Sequence, residues 1–389
     1  NAITPSSATT LSLDGSISGS GALQKAGLGT LILSGTNSYS GGTTLSAGTL
    51  SVSADANLGA SAGALVLNGG TLRSTASFTS ARALNFTGSA TFNTDVGTIL
   101  KLTGDITGAS VLYKLGAGTL VLTGASENDA GAVISAGTLQ IGDGGTSGVL
   151  LGDNINNGAV VFNRSDSTTF GYMSGTGTLT QAGTGTLRLL YDNDHSGGTF
   201  ITAGTLQIAS DGALGAASAT LTIGSGTLAT TATINSTRAL TLDGAAAIAP
   251  ATATTLTLDG AISGGGSLTK TGAGTLILSG TNSYTGGTAV AAGTLQIASD
   301  DPLGDSSGDL TLAGGTLATT ADFTSARSVT LSDASSIAPA SATTLTLAGT
   351  ISGSGSLTKS GAGTLILSGT NSYRGGRRIE GGTLQIGAD

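Results

Sequence analysis

The chain has 389 residues, 66 of them Gly and 4 Pro, with 9% charged residues, a net charge of −8, one His, and neither Cys nor Trp. The thinly spread charge and the lack of a basic run argue against nucleic-acid binding, which needs clustered Lys and Arg to neutralise several phosphates. Without Cys there is no disulfide and no thiolate metal site, and a single His excludes sites that need two.

Four-residue stretches that alternate polar and apolar side chains begin at Thr10 (TLSL), Thr30 (TLIL), Thr49 (TLSV), Thr255 (TLTL), Thr294 (TLQI) and Thr344 (TLTL). This is the period of a strand with one buried face. The segment GTLILSGTNSYSGGT, first met at Gly29, returns at Gly118, Gly185, Gly274 and Gly363, at intervals of 89, 67, 89 and 89 residues. One supersecondary unit written five times predicts a solenoid, and the interval short by 22 residues matches the loss of one coil, which such folds tolerate because each coil touches only its neighbours. Strand starts at Leu256, Leu276 and Leu295 step by 20 and 19 residues, so an 89-residue unit holds four to five coils and leaves no room for helices.

The expected fold is therefore all-β: a right-handed parallel β-helix, or β-solenoid, drawn out as an elongated rod. At a strand spacing of about 4.8 Å the rod is about 90 Å long. The pattern reads as a single segment over 1–389, with units near 1–89, 90–162, 163–245, 246–334 and 335–389. No signal-peptide pattern and no 18-residue apolar run is visible, so no membrane span is expected and the chain reads as an excised or mature segment.

Comparison of the copies orients the strands. Ile32 corresponds to Val121, Arg188, Ile277 and Ile366, and because Arg is costly in a narrow apolar core this slot faces outward. Leu31 with Leu33, and Leu276 with Leu278, then face inward, and so do the Leu and Ile flanking Gln140, Gln207, Gln296 and Gln385.

Several residues invite a functional reading. His195 lies beside Asp192 and Asp194, a combination suited to a cation or to acid–base chemistry. It occupies the slot of Tyr39, Tyr284 and Tyr373, with Asn193 on Asn37, Asn282 and Asn371, which favours a planar side chain covering a turn over a weak cation site. Glu127 and Asp129 add too few oxygens for calcium. Ser61 and Ser306 sit in G-x-S-x-G patterns that chance supplies in a chain this rich in Gly and Ser, with no strand-to-helix context. Asp14, Asp105 and Asp259 recur once per unit, several coils apart, and so form no carboxylate pair. Lys25, Lys114, Lys270 and Lys359 precede GAG-like turns, and Arg82, Arg238 and Arg327 recur in SARAL-like strings; both sets suggest bonding to turn carbonyls or discouraging sideways sheet association. Arg374, Arg377 and Arg378 form a local basic cluster, read as a cap or solvated surface ahead of a site for an acidic partner. No catalytic, cofactor-binding or metal-binding residue is assigned.

The string GSLTKTGAGTLILSGTNSYTGGTAVAAGTLQI, Gly266 to Ile297, resembles the passenger-associated repeat of bacterial autotransporters, with weaker copies beginning near Gly21, Ser110, Gly177 and Gly355. The resemblance implies a type V secretion passenger, exposed on or released from the surface of a Gram-negative bacterium, its signal peptide and outer-membrane barrel lying elsewhere in the full protein. The favoured expectation is a non-enzymatic module for adhesion, cell–cell self-association and biofilm contact, whose partners are host or bacterial surface molecules or identical passengers. The alternatives are a passive secretion stalk for a domain elsewhere, a polysaccharide-active β-helical enzyme, and a self-assembling cross-β fibre.

Overall fold

The computed structural model describes residues 1–387. Apart from three short 3-10 turns, Asp55–Leu58, Gly212–Leu214 and Asp301–Leu303, every regular element is a short strand. The paired strands are parallel, and the register joins residues one coil apart: Thr30 faces Thr49, 19 residues on, and Leu50 faces Leu72, 22 residues on. The fold is thus a parallel β-solenoid, about 19 turns in all. Contacts divide it into two units, Asn1–Leu187 with Asn193–Gly197, and Arg188–Asp192 with the chain from Gly198 onward.

Each full coil visits three sheets in rotation. In the first unit Phe78–Ser80, Leu84–Phe86 and Ala90–Thr94 lie on three different walls, and the next strand, Ile99–Leu102, pairs back on Phe78–Ser80. Short strands and sharp corners require the chain to reverse its course within a few residues, which explains the abundance of Gly, Asn, Ser and Asp between strands.

The repeated loop replaces one wall of its coil. In the first copy it follows Thr30–Leu33 and precedes Thr43–Leu45, taking the place of a wall whose first strand is Phe78–Ser80. In the second copy it follows Thr119–Leu122 on that later wall and precedes Ala132–Ile134, so it interrupts the wall that ends at Ile106–Thr107. Within the second unit the loops after Thr275–Leu278 and Thr364–Leu367 likewise interrupt two different walls. Successive copies are therefore displaced by one wall. The first interval holds four steps on one wall, from Thr30–Leu33 to Leu112–Leu115, plus one strand. The second holds only three, from Thr119–Leu122 to Thr178–Gln181, plus one strand. The 22 missing residues are one coil.

The interior is the expected column of aliphatic side chains. Leu31, Leu50 and Leu72 stack in register and are essentially inaccessible, as are Leu276 and Leu295. Phe86 and Phe92 widen the column with ring centroids 6.2 Å apart, and Phe162 and Phe170 at 5.0 Å, both tilted as aromatic pairs prefer. Ile32 and Ile277 face outward and are half-buried, and Arg188 is exposed. Val121 departs from its slot and is buried, standing in register between the long side chains of Lys101 and Gln140.

One turn carries backbone strain. Ala8, Ala253 and Ala342 occupy the same corner of three sequence repeats with φ near +60°, and the repeat near 90–162 has Gly97 there at φ 74°. A Cβ in this region costs about 1–2 kcal/mol, more than the entropy that Ala saves in the unfolded chain. Ala253→Gly and Ala342→Gly are expected to stabilise their coils by about 0.5–1 kcal/mol in urea unfolding; a loss of that size would contradict the strain.

Candidate functional site

The recurrent lysines are inside the solenoid. Lys270 stacks in the inward column between Ile248 and Val290, and Lys114 between Phe92 and Ile134. All four lysines are fully buried. The ammonium of Lys270 donates to the carbonyls of Thr271 at 2.6 Å, Gly272 at 2.9 Å and, one coil on, Ala292 at 3.0 Å. Lys25 repeats the pattern on Ala26, Gly27 and Ala47, Lys114 on Leu115, Gly116 and Ala136, and Lys359 on Ser360, Gly361 and Gly381. In the third copy Gln181 takes the slot and donates to Gly183 and Gly185.

The recurrent arginines are buried clamps of the same kind. Arg327 donates from Nε to Asp300 at 2.9 Å and from its terminal nitrogens to the carbonyls of Gly304 at 2.6 Å, Gly308 at 3.0 Å and Asp305. Arg82 holds Asp55, Gly59, Ala60 and Gly63 alike, and Arg238 holds Asp211, Gly215, Ala216 and Ala219. Each fixes the 3-10 turn of the preceding coil. Arg164 does comparable work on Gly148, Thr146 and Asp166.

The repeated loop is equally well tied. Asn282 accepts from the Ile262 N–H at 2.8 Å and donates to the Pro302 carbonyl at 2.7 Å, spanning the coils on either side. Tyr284 is fully buried beside it, its hydroxyl 2.5 Å from Thr288 Oγ1, and burial pushes its pKa up to about 12. Gly304 closes over the ring, where a Cβ would lie 2.9 Å from Tyr284 Cε2, and its φ of +85° also suits only glycine. Asn37 and Tyr39 repeat this arrangement. His195 occupies the tyrosine slot and is fully buried, and Asn193 accepts from Met173 N–H at 2.7 Å. The histidine is thus a core member of its turn.

The other candidates are not brought together. Asp14 accepts from Ser34 and Ser12, which hold its carboxyl below the usual range, while Asp259 accepts from Ser279 and Asp105 from the Ala125 N–H. Ser61 and Ser306 are exposed. Arg377 lies 5.0 Å from the Tyr373 ring centroid, and Arg378 pairs with Glu380 at 3.1 Å. Among the described residues no group of three His, Cys, Asp or Glu side chains is placed to hold a metal ion, and no helix is long and apolar enough to cross a membrane.

What solvent meets is set by this internal use of charge. Eight of the 14 basic residues are buried, including every one between Gly198 and Tyr373. Carboxylates remain at the corners, and the walls present neutral ladders. Thr255, Thr275, Thr294, Thr316, Ser336 and Thr358 follow one another in register, as do Thr10, Thr30, Thr49, Thr71 and Thr91 in the first unit.

One exposed feature escaped the sequence reading. Leu190 and Tyr191 are 55% and 62% exposed, where the other copies have Ser34–Gly35, Thr123–Gly124, Ser279–Gly280 and Ser368–Gly369. Those glycines press on the coil beneath: a Cβ at Gly280 would lie 2.6 Å from the Gly260 carbonyl oxygen. The alignment that explained His195 carried this signal five and four positions earlier.

Burial pushes the ammonium pKa of Lys114 and Lys270 down from 10.5 to about 8. Between these values the unfolded chain binds more protons than the folded one, so stability rises with pH. The raised pKa of Tyr284 acts oppositely, but only above its unfolded value of about 10. Urea midpoints are therefore expected to increase from pH 8 to pH 10; a steady fall across that window would contradict the lysine environment.

Comparison with known proteins finds the same five-fold repeat. Residues 23–52, 112–141, 179–208, 268–297 and 357–386 each match the family described as Passenger-associated-transport-repeat. Over 207 residues, 53% of this chain, the sequence is 36% identical to the adhesin BmaC autotransporter of Brucella suis biovar 1 (strain 1330), and the match spans 6% of that protein's length. No solved structure matches the chain.

Proposed function

Taking as premise that the chain is a stretch of autotransporter passenger domain, we propose that it is a non-enzymatic contact module, displayed at the surface of a Gram-negative bacterium and acting in adhesion or cell–cell self-association. The observation that carries the reading is the in-register hydroxyl ladder on walls whose neighbouring cations are turned inward. Such a face offers many weak, equivalent hydrogen-bonding sites, and multiplying weak contacts on one scaffold raises avidity without a strong pocket. Its partners are host or bacterial surface molecules, or identical passengers. Catalysis has little support: the carboxylates of Asp14, Asp105 and Asp259 are satisfied by local donors on separate coils, and His195 is enclosed.

A second reading is a stalk that spaces or exports a domain encoded elsewhere. It is favoured by the match to only 6% of the adhesin relative's length.

The two readings separate on bacteria displaying the full protein with Thr275, Thr294 and Thr316 replaced by Lys, positions that face outward in one ladder. Attachment or aggregation is expected to fall at least about tenfold, as loss of multivalent contact implies, with surface display unchanged. Unaltered attachment and aggregation at normal display, together with failed export when the whole region is deleted, would favour the stalk.

A further inference from the structure

The locus around Leu190 and Tyr191 has the character of a binding site, and it occurs in one copy of the repeat only. Arg188 occupies the outward slot held by Ile32, Ile277 and Ile366 in three other copies, and it is exposed. No carboxylate pairs with it among the described residues, whereas Arg73 is paired with Asp95 and Lys101 with Asp143. A groove of about 210 Å³ runs beside it, lined by Leu190, Gln207, Ala209 and Thr231. A cation, an apolar flank and amide and hydroxyl groups thus line one groove of the second unit, and the exposed Tyr191 follows Leu190 in the chain.

Three departures from the repeat fall within four residues: Arg188 for Ile, Leu190 for Ser, and Tyr191 for Gly. None serves the interior. Leu189 fills the inward position, 4% exposed, as Leu278 does in the fourth copy. Exposing Leu190 and Tyr191 to water costs stability that the sister sequence avoids. Tyr and Arg are the residues that most often dominate binding surfaces, because they offer large contact area and directed hydrogen bonds.

We propose that Arg188, Leu190 and Tyr191, with Gln207 and Thr231, bind a saccharide bearing a single carboxylate on a terminal ring. This rests on the contact-module reading and gives it a ligand class. The guanidinium fork matches a carboxylate in two parallel hydrogen bonds. The tyrosine ring and Leu190 cover the apolar face of a sugar, while Gln207 and Thr231 face its hydroxyls. Charge selects against longer anions. From Gly198 to Tyr373 no basic residue is exposed and carboxylates occupy the corners, so a polyanion meets repulsion beyond Arg188; Asp192, which follows Tyr191 and accepts from Ser210 Oγ, is a carboxylate that the bound group must also avoid.

The sister copies supply variants already compatible with the fold. The purified chain is titrated with sialyllactose and with an oligosaccharide ending in galacturonate, each against its neutral counterpart, lactose and a galactose-ended oligomer. The two acidic arms distinguish a sialate from a uronate source. Saturable binding of at least one acidic probe is expected, weakened at least about tenfold by Arg188→Ile and by the double change Leu190→Ser with Tyr191→Gly, while Arg188→Lys retains part of it. Unchanged amide-exchange protection in the variants confirms folding. The proposal is overturned if neither acidic probe binds better than its neutral counterpart, if the variants bind as the parent does, or if a peptide with a free terminal carboxylate binds equally well. Replacing Thr275, Thr294 and Thr316 by Lys leaves this binding intact, so failure of the ladder reading and failure of this one are separable.

Discussion

Turning a chain through three corners in each coil directs carbonyl groups toward a narrow interior where no strand pairs with them and little water can reach. Unsatisfied, each such carbonyl costs about 1–3 kcal/mol. The buried lysines and arginines meet that constraint. Lys270 binds three carbonyls across one coil step, and Arg327 binds three more around the Asp301–Leu303 turn while its charge is offset by Asp300. A buried charge is costly alone, but several carbonyl dipoles and a carboxylate replace its hydration. The Asn and Tyr of the repeated loop extend the same tactic to the wall where the strand is missing.

This internal chemistry shapes the exterior. Because the cations are committed to the core, the modest net charge understates the acidity of the corners, and repulsion between copies is concentrated there. The walls, by contrast, carry Thr, Ser, Ala and Gln in register and no charge over long runs, as from Thr205 through Thr227, Ala247 and Thr269 to Ala289. The repeat also advances by four coils and one wall, so equivalent loops in neighbouring copies face different directions within each unit. A ligand site confined to the third copy therefore has no equivalent beside it, while the ladders supply the repetition.

Much of this was legible. The alternation of Thr-Leu-x-Leu strands and the return of the Gly29 segment give a solenoid, and the 22-residue shortfall gives a lost coil. The equivalence of Ile32 with Arg188 orients the strands. The repeated lysines and arginines were readable as ligands of turn carbonyls, but their depth was missed, although Leu268-Thr269-Lys270 places Lys270 on the same side as Leu268. Charge suggested surface, and the alternation said otherwise. His195 drew attention as the single histidine, whereas Leu190 and Tyr191 are common residues whose significance appears only when a glycine slot known to press on the coil below is seen to be filled.

The central claim is that buried cations hold successive coils together through turn carbonyls. Its most direct test is amide hydrogen exchange in the full chain carrying Lys270→Met, which keeps the side-chain volume and removes the donors. Protection is predicted to fall in the turns around Thr271–Gly272 and Ala292 and in the adjoining strands, and to remain unchanged several coils away. Unaltered protection at those turns would contradict the account.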